Sequence, residues 1–205
     1  RATDVVRQPG STFKVISSFA PAIDACGATL GTVYYDAPYS SGEKNFRNWW
    51  GSDYKGYHNI REGIIYSMNI IALRCMAETV TPQLGVEYAE RLGISTMVSD
   101  DLNLSTALGG LTRGVTNLEL TNAFATIANG GTYTEPVFFT KILDRNGKLL
   151  IDNTPQTRQA LKDSTAFLLT DAMTDAMQSN VLYSRPGAGV NSTGTAAALS
   201  RMSCA

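Results

Sequence analysis

The sequence predicts a mixed α+β domain, and three observations carry that expectation. Apolar residues recur at helical spacing in several stretches separated by Gly and Pro turn signals. One stretch, residues 137 to 152, reads differently. Two apolar runs flank Asn146-Gly147 there, the strongest short-range sign of an antiparallel hairpin. The 205 residues, 43% apolar and 17% charged, have an ordinary globular balance and suit one domain with a sizeable core.

Taken in order, Phe13, Ile16, Phe19, Ala20 and Ile23 place a buried or amphipathic helix over 12–25, with Gly27 as its stop. Residues 28 to 59 are rich in Gly, Ser, Asn and aromatics without a sustained period. They read as a long loop, of a length that is uncommon unless it serves a function. A short helix over 60–66 follows, then Ser67-Met68-Asn69, then a second apolar helix from about 70 to 78. Thr81-Pro82 opens a helix through Arg91, which Gly93 ends. A glycine-rich turn leads to a helix over 117–129, with Thr116 as cap and Glu119 completing a capping box. After the hairpin, 161–178 is a further helix, and the final stretch begins as a loop and ends in weak helix or strand.

Composition excludes several functions. Seventeen basic against eighteen acidic residues leave a net charge of −1, with no basic face for nucleic acid. No apolar run reaches the roughly 18 residues of a membrane span. Cys26, Cys75 and Cys204 are odd in number and far apart, so they imply no disulfide framework and read as buried inert thiols. His58 is the only histidine and no Cys-x-x-Cys pair occurs, so no metal site is expected. The chain opens on "RATDVV" and closes on "RMSCA", which suggests a piece of something longer.

Lys14 is the first residue that asks for explanation. A cation in the first turn of a helix is opposed by the helix dipole, at about 0.3–1 kcal/mol. Ser11 lies three residues earlier, on the same helical face. A serine hydroxyl becomes a nucleophile when a neighbouring base takes its proton. Lysine is that base only when neutral, which from a free pKa near 10.4 costs roughly 4–5 kcal/mol at pH 7. Burial and positive surroundings reduce the cost. Ser41/Lys44 and Ser52/Lys55 repeat the spacing, but in polar, glycine-flanked stretches that hold no rigid face. The plainer alternative makes Ser11 a helix cap and Lys14 a solvated stem. Ser67-Met68-Asn69 is the only Ser-x-Asn in the chain. Ser67 is placed to relay a proton between Lys14 and a leaving group, and Asn69 to donate to a substrate carbonyl and accept from the lysine. Its plainer alternative is a local cap for the helix at Ile70. His58 reads as a packing residue, Arg113 as a surface ion-pair former, and Trp49, Trp50 and Tyr54 as anchors of the long loop that could also line a groove.

"RQPGSTFK" followed by "REGIIYSMN" resembles the transpeptidase domain of penicillin-binding proteins, for which Ser-x-x-Lys is a signature. "ALGGLTRGVTNLELTNAFATIANGGTYTEPVFFTKILDRNGKLL" extends the resemblance over essentially the whole chain, to the bifunctional class A type. The resemblance implies an antiparallel sheet packed with helices plus a helical subdomain, the serine β-lactamase and penicillin-binding-protein architecture, with residues 1–205 a partial domain incomplete at both ends. It implies that Ser11 is acylated by D-Ala-D-Ala stem peptides of peptidoglycan and by β-lactam antibiotics. Lys14 is then the base, Ser67 the relay and Asn69 the positioning amide, with no cofactor. A D,D-carboxypeptidase, a serine β-lactamase and a non-catalytic β-lactam sensor are the alternatives. It further implies an upstream glycosyltransferase domain and a place on the outer face of a bacterial cytoplasmic membrane. The family's Lys-Thr-Gly or Lys-Ser-Gly triplet does not occur. "STGTAAALSRMSCA" matches the segment that precedes it, so the triplet is expected beyond Ala205, and this piece alone is expected to react poorly. Loss of a single oxyanion donor typically costs about 10²–10³ in rate.

Overall fold

In the computed structural model, which describes residues 2–178, a central helix, α1, runs through residues 10–24. It opens as a 3-10 turn at Gly10–Thr12, widens to a π turn at Val15–Phe19, and closes as α-helix at Ala20–Asp24. Phe13, Ile16, Phe19, Ala20 and Ala22 are each fully buried. Burying one large apolar side chain stabilises by about 1.5–3 kcal/mol, so this helix is the hub of the core. Ser17 lies inside the π turn, where its hydroxyl donates to the Phe13 and Thr106 carbonyls at 3.0 and 3.2 Å.

Around α1 stand α2 (Ile60–Ile65), α3 (Asn69–Arg74, continued as a π turn through Cys75–Val80), α4 (Pro82–Arg91), α5 (Asn117–Ala128) and α6 (Asp163–Gln178). Helices α3 and α4 pack on α1, and α6 packs on α1, α2 and α5. Thr116 and Glu119 cap α5 reciprocally, as their spacing predicts, and Asn59 with Glu62 does the same for α2. A Cβ on Gly63 would lie 2.8 Å from Ile71 Cγ2 and 3.2 Å from Phe19 Cζ, so glycine lets α2 close onto both α3 and α1.

The strands pair as five two-stranded antiparallel ladders among the described residues. β1 (Val6–Arg7) pairs with β6 (Val115–Thr116), β2 (Val33–Asp36) with β5 (Gly56–Asn59), and β3 (Tyr39–Ser41) with β4 (Lys44–Phe46). β7 (Thr132–Thr134) pairs with β10 (Thr157–Gln159), and β8 (Lys141–Leu143) with β9 (Leu149–Asp152). The last pair is the hairpin expected at Asn146-Gly147, with Gly147 at φ +82°.

Residues 28–59 are a correction: they hold four strands rather than an irregular loop. These strands are three or four residues long, too short to show a period. The second Ser-x-x-Lys, Ser41/Lys44, is a cross-strand pair in the β3–β4 hairpin, and Lys44 Nζ reaches Ser105 Oγ at 3.0 Å. In the third, Lys55 pairs with Asp53 on the surface. Cys75 is buried as expected, but Cys26 is exposed just past the end of α1. No ion pair is found for the exposed Arg113 among the described residues. No described helix is long and apolar enough to cross a membrane, and no described cluster of His, Cys, Asp and Glu has the form of a metal site. The segment that approaches Ala205, Cys204 included, lies outside the described residues.

Candidate active site

Ser11 sits in the 3-10 turn that begins α1, and it is exposed. It is not the cap of that helix. Thr12 Oγ1, one residue on, donates back to the Pro9 carbonyl at 2.8 Å, and Ser11 Oγ has no hydrogen-bond partner among the described residues. The turn is gripped from outside. Gln8 Nε2 donates to the Leu111 carbonyl at 2.6 Å, and Leu111 N–H donates to Gln8 Oε1 at 2.8 Å. Gly109, at φ +72°, lies so close that a Cβ there would fall 2.2 Å from Gly10 O and 2.6 Å from Gly10 N. The glycine-rich "ALGGL" stretch is therefore a strap across the turn that carries Ser11.

Lys14 is 2% exposed, which removes the alternative of a solvated stem. Its ammonium nitrogen donates to the Ser67 carbonyl at 2.6 Å and to Ser67 Oγ at 3.0 Å. Burial pushes its pKa down from 10.5 to about 7. The charged form loses its water, and a carbonyl and a hydroxyl do not replace a counter-ion.

Ser67 lies between α2 and α3 with φ +49°, in the left-handed region. A non-glycine residue held there costs about 1–3 kcal/mol and tends to mark a functional site. The conformation aims both the carbonyl and the hydroxyl of one residue at Lys14. Asn69 follows as the first residue of α3, and its Nδ2 donates to the Arg47 carbonyl at 2.7 Å. An amide nitrogen carries two donors, so one more remains for another acceptor. The structure brings Ser11, Lys14 and Ser67 to one cavity of about 50 Å³, walled by Phe19, Phe124 and Met173. Asn69 opens α3 two residues after Ser67 but does not line that cavity, and it makes no hydrogen bond to Lys14 among the described residues.

Two residues escaped the reading of the sequence. Asn48, expected only as part of a loop, accepts from the N–H groups of Asn69 and Ile70 at 2.9 and 3.2 Å, so it caps α3 in place of the local cap considered at Ser67. Asp36 in turn holds Asn48. Neither sits in a local pattern, because the bonded groups are 12 to 22 residues apart. Trp49 Nε1 donates to the Tyr66 carbonyl at 2.9 Å and Trp50 Nε1 to the Asp53 carbonyl at 2.8 Å. Both are anchors, as expected, and both also line a separate cleft of about 550 Å³. His58 packs beside Glu62, with Nδ1 3.0 Å from Oε2.

The Penicillin binding protein transpeptidase domain family matches this chain over residues 1–200. The chain belongs to that family. Among its relatives, penicillin-binding protein 1A of Clostridium botulinum is 33% identical over 178 residues, covering 82% of this chain and 21% of that protein. The chain thus spans about a fifth of the length of the curated relatives it matches. Penicillin-binding protein 1A from Haemophilus influenzae superposes with a TM-score of 0.75 at 25% identity, over 91% of this chain and 31% of that one. The PonA1 protein of Mycobacterium tuberculosis, solved in complex with penicillin V, superposes with a TM-score of 0.74 at 25% identity, over 86% of this chain and 50% of that one. The expected fold class of a penicillin-binding transpeptidase domain is therefore borne out, as is the resemblance to the class A proteins.

Proposed function

We propose that residues 1–205 are part of a serine D,D-transpeptidase domain that cross-links peptidoglycan, with Ser11 as nucleophile and Lys14 as base. The observation that carries the reading is the buried Lys14, whose pKa is pushed down to about 7 and whose nitrogen lies against Ser67 in the cavity that Ser11 also lines. A lysine in this state is neutral in a large share of molecules at neutral pH, which is what base catalysis needs.

In this mechanism Lys14 takes the Ser11 hydroxyl proton as Ser11 Oγ adds to the carbonyl of the penultimate D-alanine. The peptide C–N bond breaks, and the proton passes from Lys14 through Ser67 Oγ to the departing D-alanine amine. The acyl group remains on Ser11 as an ester. An amine of a neighbouring stem peptide then adds to that ester, gives its proton back along the same path, and frees the Ser11 hydroxyl. A β-lactam follows the first half, with its ring amide as the bond that breaks. Asn69 holds the substrate amide through its remaining N–H. No cofactor enters these steps. The family resemblance further supports an upstream glycosyltransferase domain and a place on the outer face of a bacterial cytoplasmic membrane. No Lys-Thr-Gly or Lys-Ser-Gly triplet stands in the 205 residues, so labelling by residues 1–205 alone is expected to be slow.

The test is covalent labelling of the full-length protein by a fluorescent penicillin. Ser11→Ala is expected to abolish the adduct while the melting temperature stays within a few degrees of the parent. An adduct mapped by mass spectrometry to a different side chain would end the proposal.

A further inference from the structure

Asp36, the last residue of β2, is 1% exposed, and Asn48 is 4% exposed. Asn48 Nδ2 donates to Asp36 Oδ1 at 2.7 Å. The other oxygen of that carboxylate accepts from the Lys55 N–H at 2.9 Å. With the amide nitrogen fixed on one side, Asn48 Oδ1 points at the opening of α3, where it takes the N–H groups of Asn69 and Ile70. A helix leaves its first N–H groups without internal partners, and an Asn oxygen is among the best acceptors for them. Usually the cap is the residue just before the helix. Here that residue is Met68, which has nothing to offer, and the cap comes from a different segment.

The consequence reaches the lysine. Ser67 lies two residues before the capped N–H of Asn69 and holds an unfavourable left-handed conformation. On its N-terminal side, Ser67 N–H itself donates to the Ile64 carbonyl at 3.2 Å, which ties the junction to α2. On its C-terminal side the tie is Asn48. An anchor for the loop alone would need only the Asn48–Asp36 bond. The two extra bonds go to the element that carries the Ser-x-Asn motif.

We propose that Asp36 and Asn48 are positioning residues for the acylation step. They pin the first turn of α3, which Asn69 opens, and so keep the Ser67 carbonyl and hydroxyl on Lys14. The proposal rests on the roles given above to Lys14 and Ser67. Neither Asp36 nor Asn48 lines the cavity that Ser11, Lys14 and Ser67 share.

The experiment uses the full-length protein well below its melting temperature. It measures the first-order acylation constant at saturating fluorescent penicillin, and amide hydrogen exchange across residues 67–71. Asn48→Ala is expected to slow acylation by about 10- to 100-fold, the range that a displacement of up to 1 Å costs. It is also expected to speed exchange at Asn69 and Ile70 while α4 and α5 stay protected. A swap separates positioning from bulk stability. Asn48→Asp alone sets two carboxylates against each other, and Asp36→Asn alone sets two N–H donors against each other at one contact or the other. The double variant Asp36→Asn/Asn48→Asp restores every bond with one donor and acceptor exchanged. Each single variant is expected to slow acylation, and the swap to return to within about twofold of the parent, the usual scatter for uncoupled changes. Acylation by Asn48→Ala within that same twofold, with only the melting temperature lowered, overturns the proposal. So does a swap no faster than its singles. If Ser11→Ala is still labelled, the assignment of the nucleophile falls instead. The exchange arm then decides the cap by itself, since unchanged protection at Asn69 and Ile70 rules it out.

Discussion

The mouth of α1 and the β8–β9 hairpin are built on opposite terms. The hairpin is local: residues 141–152 fold back on themselves, Asp144 Oδ1 takes the N–H groups of Asn146 and Lys148, and every strand residue is exposed. Leu150 is 60% exposed and Ile151 48%. The mouth of α1 is assembled from segments far apart in the chain. Residues 7–14, 67–69 and 109–116 meet there, Lys14 and Ser67 are 53 positions apart, and Gln8 and Leu111 are 103. Local structure is written in turn chemistry and costs little to change. Assembled structure stores strain and buried charge, which persist only because several elements enforce them together.

The largest expected effect comes from Lys14→Met. Acylation of the full-length protein should fall by about 10²–10⁴-fold, the usual contribution of a positioned base. Stability should move the other way. The folded-state pKa is depressed, so between about pH 7 and 10.5 the unfolded chain binds more protons than the folded one. Stability from this group therefore rises with pH across that window, and the full penalty is felt below about 7. Chemical denaturation at pH 6 should find Lys14→Met more stable by up to about 4 kcal/mol, with a flatter pH dependence than the parent. In the parent, the acylation rate should climb with pH through about 7 as Lys14 loses its proton. A lysine variant that loses stability at pH 6 would undo the contrast between the two regions.

Ser67→Gly sharpens it. Glycine adopts φ +49° without steric cost, so up to about 1 kcal/mol of stability is expected back, less what glycine's extra freedom in the unfolded chain takes away. The hydroxyl is lost, and acylation should drop by about 10²-fold. Rate and melting temperature measured on the same sample would then move in opposite directions, as the role proposed for this strained junction requires.

The smallest effect belongs to the hairpin. Leu150→Lys should leave stability within about 0.5 kcal/mol and acylation unchanged. A loss of several kcal/mol would mean that this face is packed against something, and the comparison would fail there.

What could be read from the residues divides along the same line. Thr116 with Glu119, Thr81-Pro82 and Asn146-Gly147 are short-range signals, and each element they announce is present. The burial of α1 followed from Phe13, Ile16 and Phe19, and the choice of Ser11/Lys14 over the two other Ser-x-x-Lys pairs followed from that helix. The strands of residues 33–59 did not show, because strands of three or four residues with mixed polarity leave no period. Asn48 did not show either. Its partners are the backbone N–H groups of Asn69 and Ile70, and a backbone group has no letter in a sequence. The same holds for the Ser67 carbonyl, the shorter of the two contacts to Lys14.

The contact between Gly109 and Gly10 sets a limit on mutational drift. Two main chains touch there with no side chain between them, at a spacing that even one methyl group would violate. The placement of Ser11 is thus fixed by backbone against backbone, which substitution cannot fine-tune. Neighbouring walls of the pocket are free to vary and reshape what is admitted. The seat of the Ser11 hydroxyl can only be kept or broken.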